Sequence, residues 1–362
     1  MVTDDHGSIF GPADRRSAAQ ARNKDRKHPG RRKPRRVRYL VNHALIACAV
    51  AGCGRFQDPN IVVDLRVIAM SASPPDQLVD VDLTQPVTPQ SLLAELVPTQ
   101  VCALVADPGL ERRLLWSLTL CPLTSGDRCD EDNQVVIGTG LLDDPETTTP
   151  EPTLCATVNP DGNLLAILLS LLEGDPLHGL GGLDYGVVLR IGGEDANRDL
   201  DQYAAKTVRV APRIPMAATA NTNPRIDHID AAIGDAAPVP LPLVRCLDNP
   251  APLELPPATK LRMTPIEPDG VREVYVVPTL DGKSQTFTES LTYQWVAGAG
   301  GFSSGSTGGP RDVSGNPAPL FSDYKSPSAG DLQGPTDVSI WIVQRDERFG
   351  VHWYESCIHV TP

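Results

Sequence analysis

Two strings in this sequence could do chemistry, and each fails on the residues around it. Gly301-Phe302-Ser303-Ser304-Gly305 has the G-x-S-x-G form of a serine nucleophile held on a strand-to-helix turn. Ser306-Thr307-Gly308-Gly309-Pro310 follows, a flexible stretch that cannot start a helix, so the string is expected to be a surface loop. Asp195-Ala196-Asn197-Arg198-Asp199-Leu200-Asp201 imitates the first half of a calcium loop. Leu200 stands where that loop needs glycine and Lys206 where it needs a bidentate glutamate. An EF-hand is therefore not expected, which leaves a looser calcium contact or a solvated acidic turn. Asp127, Asp130, Glu131 and Asp132 read as a charged loop around Cys129. His228, His352 and His359 have neither a paired nucleophile nor ligand spacing and are expected on partly exposed strands. With no C-x-x-C pair and no histidine near Cys121 or Cys129, zinc is not expected either. No catalytic residue, cofactor site or metal ligand is assigned, and the chain is not expected to be an enzyme.

One thiol does sit in a pattern with chemical meaning. Residues 22–38 are dense in Arg and Lys, with only Asp25 opposing them. A short apolar run follows from Tyr39 to Gly52, interrupted by Asn42 and His43, and closes on Val50-Ala51-Gly52-Cys53. A basic block, a 7–15-residue apolar run and small residues at a cleavage point define a secretory signal peptide. The basic block is held on the cytoplasmic side, and the apolar run is too short to stop in the membrane. Small side chains at Ala51 and Gly52 let a peptidase approach the backbone, and Cys53 offers its thiol. Placed so, these residues resemble the lipobox of bacterial lipoproteins. The resemblance implies cleavage before Cys53, a diacylglyceryl thioether on it and acylation of the new terminus, so that the acyl chains anchor the protein in a membrane. Val50 stands where that family more often has Leu, and the lead before the apolar run is long; a start at Val37 would leave a compact signal. Gly54 is not the aspartate that retains lipoproteins in the inner membrane, which implies the outer membrane as destination.

Cleavage before Cys53 removes Cys48 and leaves six cysteines in the body, in a compartment where disulfides persist. Six cysteines allow 15 pairings. Cys121 and Cys129 bracket a short polar loop and are expected to pair; Cys102 with Cys155, and Cys246 with Cys357, are the favoured partners among the rest.

The elements that would position these residues read as β-rich. Residues 61–70 are expected as a strand with Val63, Leu65, Val67 and Ala69 on one face. Residues 101–106, 114–121, 134–139, 185–192 and 206–211 follow as further strands. Residues 163–172 differ: Asp161 or Asn163 can cap an apolar helix ending at Gly174, too short to span a bilayer. Residues 212–224 look like a linker. Beyond it, Leu291, Tyr293 and Trp295 alternate with Thr292 and Gln294, and Val338, Ile340 and Ile342 oppose Ser339, Trp341 and Val343. A turn at 346–350 leads into a last strand at 351–360. The expected organisation is a basic extension and signal at 1–52, a lipidated tether at 53–60, a first immunoglobulin-like sandwich at 61–211 with one short helix, the linker, and a second sandwich at 225–362.

Charge narrows the partners. The net charge of −13 divides unevenly, with 12 basic and 4 acidic residues in 1–52, net +8, leaving −21 for the rest. A body that acidic repels a phosphate backbone, so no nucleic-acid partner is expected. Thirty-five prolines in 362 residues, about twice the usual ~5%, favour short strands and loops over helical bundles.

Leu-Thr-Tyr-Gln-Trp (291–295), the glycine-rich stretch with Gly301-Phe302-Ser303, Val338 to Asp346, Gly350 and Trp353 are similar to the immunoglobulin-like C-terminal domains of predicted outer-membrane lipoproteins of myxobacteria. Asp64 to Ala69, Pro74-Pro75, Ala205-Lys206 and Asn223-Pro224 fit the same group, and Asp346 with Gly350 resembles the turn of polycystic-kidney-disease-type modules. The resemblance implies a non-enzymatic, lipid-anchored envelope protein whose sandwiches bind a protein or glycan, or act as spacers. The alternative is a secreted hydrolase whose site the spacing does not reveal.

Overall fold

The computed structural model describes residues 58–80, 88–108, 113–124, 128–130, 132–142, 153–193, 201–279 and 281–362. It is mainly β, built from two immunoglobulin-like sandwiches. The first uses β1 (Arg66–Ser73), β2 (Asp76–Val79), β3 (Thr99–Ala106), β4 (Leu114–Cys121), the short hairpin β5 (Leu123–Thr124) and β6 (Arg128–Cys129), β7 (Val135–Leu142), β8 (Thr153–Val158), β9 (Leu183–Gly193) and β10 (Gln202–Pro212). A three-stranded sheet, β1-β3-β8, faces a five-stranded one, β2-β10-β9-β4-β7. Met70, Val101, Val105, Leu118, Leu189 and Val208 close the space between them.

Two helices cover this sandwich. The run Gly162–Gly174 is α2; Asp161, not Asn163, caps it, accepting from the backbone N–H groups of Asn163 (2.9 Å) and Leu164 (3.2 Å). Leu164, Ile167 and Leu168 are its buried stripe. The two-turn helix α1 (Pro89–Glu95), too short for its periodicity to stand out in the sequence, has Pro89 in its first turn and a reciprocal Thr88–Ser91 cap.

The second sandwich uses β11 (His228–Ile233), β12 (Val239–Pro240), β13 (Leu253–Leu255), β14 (Lys260–Ile266), β15 (Val274–Pro278), β16 (Ser284–Thr288), β17 (Thr292–Ala297), β18 (Gly301–Phe302), β19 (Ser306–Gly308), β20 (Ser322–Lys325), β21 (Thr336–Arg345) and β22 (Val351–Val360). Sheet β12-β11-β14-β20-β18 faces β13-β22-β21-β17-β19, and β15 pairs with β16 as a separate hairpin. Tyr293, Trp295, Ile340 and Ile342 are fully buried between the sheets.

Residues 57–362 form one compact unit. A third apolar cluster explains why: Ile68 and Leu104 on the outer face of β1-β3 pack against Trp341, Val343 and Val296 on the outer face of β21-β17. Both faces of β21 are thus buried, and Trp341 is a core residue of the contact between the sandwiches.

Residues 61–70 do not form the single strand expected of them. Asn60–Val62 lies instead along β17, where Val62 N–H donates to the Ala297 carbonyl (2.8 Å) and Ala297 N–H to the Asn60 carbonyl (2.9 Å). β1 starts only at Arg66, and a bulge between Val67 and Ala69 breaks the two-residue alternation. Val63 is consequently exposed, while Ile68 and Ala69 are both buried.

Candidate functional site

Cys53, the expected lipidation site, and the signal expected before it lie outside the described residues. The other candidate cysteines form three disulfides. Cys102–Cys155 joins facing positions on β3 and β8, Cys121–Cys129 ties the end of β4 to β6, and Cys246–Cys357 ties the turn at 246–248 to β22. Ser303 and Ser304 lie between β18 and β19 with no helix after them. Ser303 Oγ accepts from Asp323 N–H (3.0 Å) and Ser304 donates to the Ser306 carbonyl (2.5 Å), which are loop-closing contacts. His359 Nδ1 lies 2.6 Å from Asp337, His228 sits between Asp227 and Asp230, and His352 stands edge-on to the Tyr354 ring. Of the calcium-like string, Asp201 is described, and it pairs with Arg190 (2.7 Å). Asp130 accepts from Asp132 N–H and Asn133 Nδ2 within its own loop. Among the described residues, no three His, Cys, Asp or Glu side chains are placed to hold a metal ion.

A dense polar constellation that sequence spacing missed lies at the β21–β22 turn, where the sandwiches meet. Asp346 builds the turn: its Oδ1 accepts from the N–H groups of Arg348 (2.8 Å) and Gly350 (2.7 Å), and its own N–H donates to the Gly350 carbonyl (3.1 Å). Gly350 is required by space, since a Cβ there would overlap the Asp346 carboxylate and touch Pro224 at 3.0 Å. The turn aims Arg348 into a ring of acceptors. Its guanidinium lies 3.5 Å from Asp76, 3.4 Å from Glu273 and 3.3 Å from Glu289, and donates to the Thr219 carbonyl (2.7 Å). Asp76 opens β2 in the first sandwich, whereas Glu273 and Glu289 flank the β15–β16 hairpin of the second.

The segment between the sandwiches is stitched into the same knot. Asn221 N–H donates to Asp76 (2.5 Å), and its Nδ2 donates to Asp346 (3.1 Å) and to the Arg348 carbonyl (2.8 Å). Asn223 bridges the two bodies, donating to the Ala72 carbonyl (2.8 Å) and accepting from Val351 N–H (2.9 Å). From β10, Lys206 donates to the Phe349 carbonyl, and Arg209, paired with Asp184, lies over the Phe349 ring.

Burial sets the electrostatics of this knot. It raises the Asp76 carboxyl against the pull of Asn221 N–H and Arg348. It pushes Glu289 up to about 7, helped by the Asp346 and Glu273 carboxylates. It draws the Lys206 ammonium down to about 8, against the field of Asp346. Clefts of about 550 Å³ and 380 Å³ flank the turn, the first walled by Pro74, Pro75, Pro224 and Pro268, the second by Lys206, Phe349 and the start of β1. Neither brings a nucleophile to a general base. The charged groups pair with one another and with the backbone, and the arrangement joins two bodies.

No protein-family model matches the chain, and no curated protein matches its sequence. Among solved structures, it is similar to AggA, the major subunit of aggregative adherence fimbriae type I from Escherichia coli, at 12% identity over 43% of this chain and 99% of that one, TM-score 0.22. It is similar also to red sea bream transglutaminase, at 7% identity over 82% of this chain and 32% of that one, TM-score 0.23. The C-terminal domain of the Streptococcus agalactiae AgI/II polypeptide BspA follows, at 8% identity over 73% and 93%, TM-score 0.18. The chain spans about a third of the transglutaminase, and likenesses this distant carry no functional argument.

Proposed function

We propose that this is an exported, lipid-anchored envelope protein whose two sandwiches form a non-enzymatic module for binding a protein or glycan, or for spacing other envelope parts. The observation that carries this reading is the pairing of all six cysteines of the body into three disulfides spread over both sandwiches. Such bonds persist in oxidising compartments and are rare where thiols are kept reduced. The order of basic block, apolar run, small residues and Cys53 supplies the route of export, and acyl chains on Cys53 supply the membrane partner, on the outer membrane. In this reading residues 53–60 are the tether, 61–211 and 225–362 the two modules, and 212–224 the segment joining them. The net charge of −21 beyond residue 52 keeps the body off nucleic acid and off anionic lipid, so attachment falls to the acyl chains.

The test is thiol trapping in intact cells that express the full chain, followed by peptide mass mapping. Cys102, Cys121, Cys129, Cys155, Cys246 and Cys357 should resist alkylation until a reductant is added. Free thiols at most of these positions would refute export.

A further inference from the structure

We infer that the knot around Arg348 is a proton-sensitive latch, which locks the two sandwiches together in acid and loosens their grip toward neutral pH. Its basis is a charge imbalance in a buried junction. Asp76, Glu273, Glu289 and Asp346 converge there from both sandwiches, and Arg348 is the guanidinium within ion-pair distance of the first three. The remaining cations that face the knot are committed. Arg209 forks onto Asp184, Arg345 donates to Gln294, and Lys206 donates to the Phe349 carbonyl. Tyr275, beneath the Arg348 guanidinium, donates to Glu347. Fully ionised, Asp76, Glu273 and Glu289 share the one guanidinium of Arg348, beside the Asp346 carboxylate, in a place where Asp76, Glu289, Asn221 and Lys206 are all buried. Uncompensated charge in such a site is costly, and each proton taken up by a carboxylate relieves it.

The sign follows from linkage. Glu289 holds its proton more tightly folded, up to about 7, than its ordinary 4.5, so its contribution is fully present below 4.5 and lost as pH rises to 7. Asp76, also raised by burial, acts in the same direction. Lys206 works in a separate window, since its value lies at about 8 instead of 10.5 and the junction recovers stability only as pH climbs between those values. The grip is therefore weakest between about 7 and 8.

The latch is read directly by hydrogen exchange on the full chain with its disulfides intact, corrected for the intrinsic pH dependence of exchange. The reporters are the N–H groups of Asn221, Gly350 and Val351, which close the knot, with amides of the β9 core as internal control. From pH 5 to pH 7.5 the knot amides should lose about tenfold in protection, the equivalent of one pK unit, while β9 loses less. Glu289→Gln, which carries no titrating proton, should flatten most of that change. A knot whose protection does not vary with pH, or varies as much in Glu289→Gln as in the native chain, overturns the inference. Should the variant not fold, the native chain still decides: an equal loss at the knot and at β9 would mean global destabilisation and no latch.

Discussion

Arg348 is the side chain on which the junction turns, because its guanidinium ion-pairs with carboxylates of both sandwiches. Replacing it with Met keeps the stem and removes the charge, leaving Asp76 and Glu289 buried without their partner. Breaking a buried pair from one side costs about 3 kcal/mol, and denaturant unfolding of Arg348→Met should show a loss of that order at pH 7.5. The loss should shrink at pH 5, where the raised Glu289 carboxyl takes up a proton. Gly350→Ala tests the same turn by shape alone, since its Cβ must displace the Asp346 carboxylate or Pro224. It should cost about 1–3 kcal/mol, the range for overpacking, with a lower Tm by calorimetry. An unchanged Tm would mean the turn yields more easily than its hydrogen bonds imply.

Among the elements, the disulfides give a graded expectation. They close loops of 8, 53 and 111 residues. Loop-closure entropy then assigns about 2.5, 4.2 and 4.8 kcal/mol to the three bonds. Paired Cys→Ala variants should fall in stability in that order, the Cys121/Cys129 pair least; an inverted order would show that packing outweighs chain entropy. The same elements show how far the sequence could be read. Residues 114–121 coincide with β4 and the apolar run at 163–172 lies inside α2, because strong periodicity and punctuating Gly and Pro mark them. β21 was legible as a strand but its second buried face was not, although Trp341 and Val343 on the supposed outer side were the available signal. The bulge in β1 and the docking of Asn60–Val62 onto β17 are set by tertiary pairing that no local pattern announces. The junction was invisible for a simpler reason: Asp76, Lys206, Asn221, Glu273, Glu289 and Arg348 are far apart in the chain, and only the fold brings them together.

At the scale of the whole molecule, an acidic, disulfide-stapled pair of sandwiches is proposed to be carried to the envelope and held there by lipid. The division at 212–224 can be probed by limited proteolysis, which should cut there faster at pH 7.5 than at pH 5 once protease activity is normalised, leaving two resistant bodies. A chain cleaved nowhere in that segment would argue that the sandwiches act as one indivisible unit. Membrane attachment is the part of that proposal on which the others depend. Buried acyl methylenes contribute roughly 0.8 kcal/mol each, whereas the acidic body, net −21 beyond residue 52, carries the same sign of charge as an anionic bilayer. The most direct measurement compares detergent-phase partitioning and intact mass for the native chain, Cys53→Ala and Cys48→Ala. The native protein and Cys48→Ala should enter the detergent phase at a mass that includes acyl chains and lacks residues 1–52, while Cys53→Ala should keep its signal and carry no lipid. Equal partitioning of Cys53→Ala and the native protein, with no acyl mass on either, would contradict that proposal.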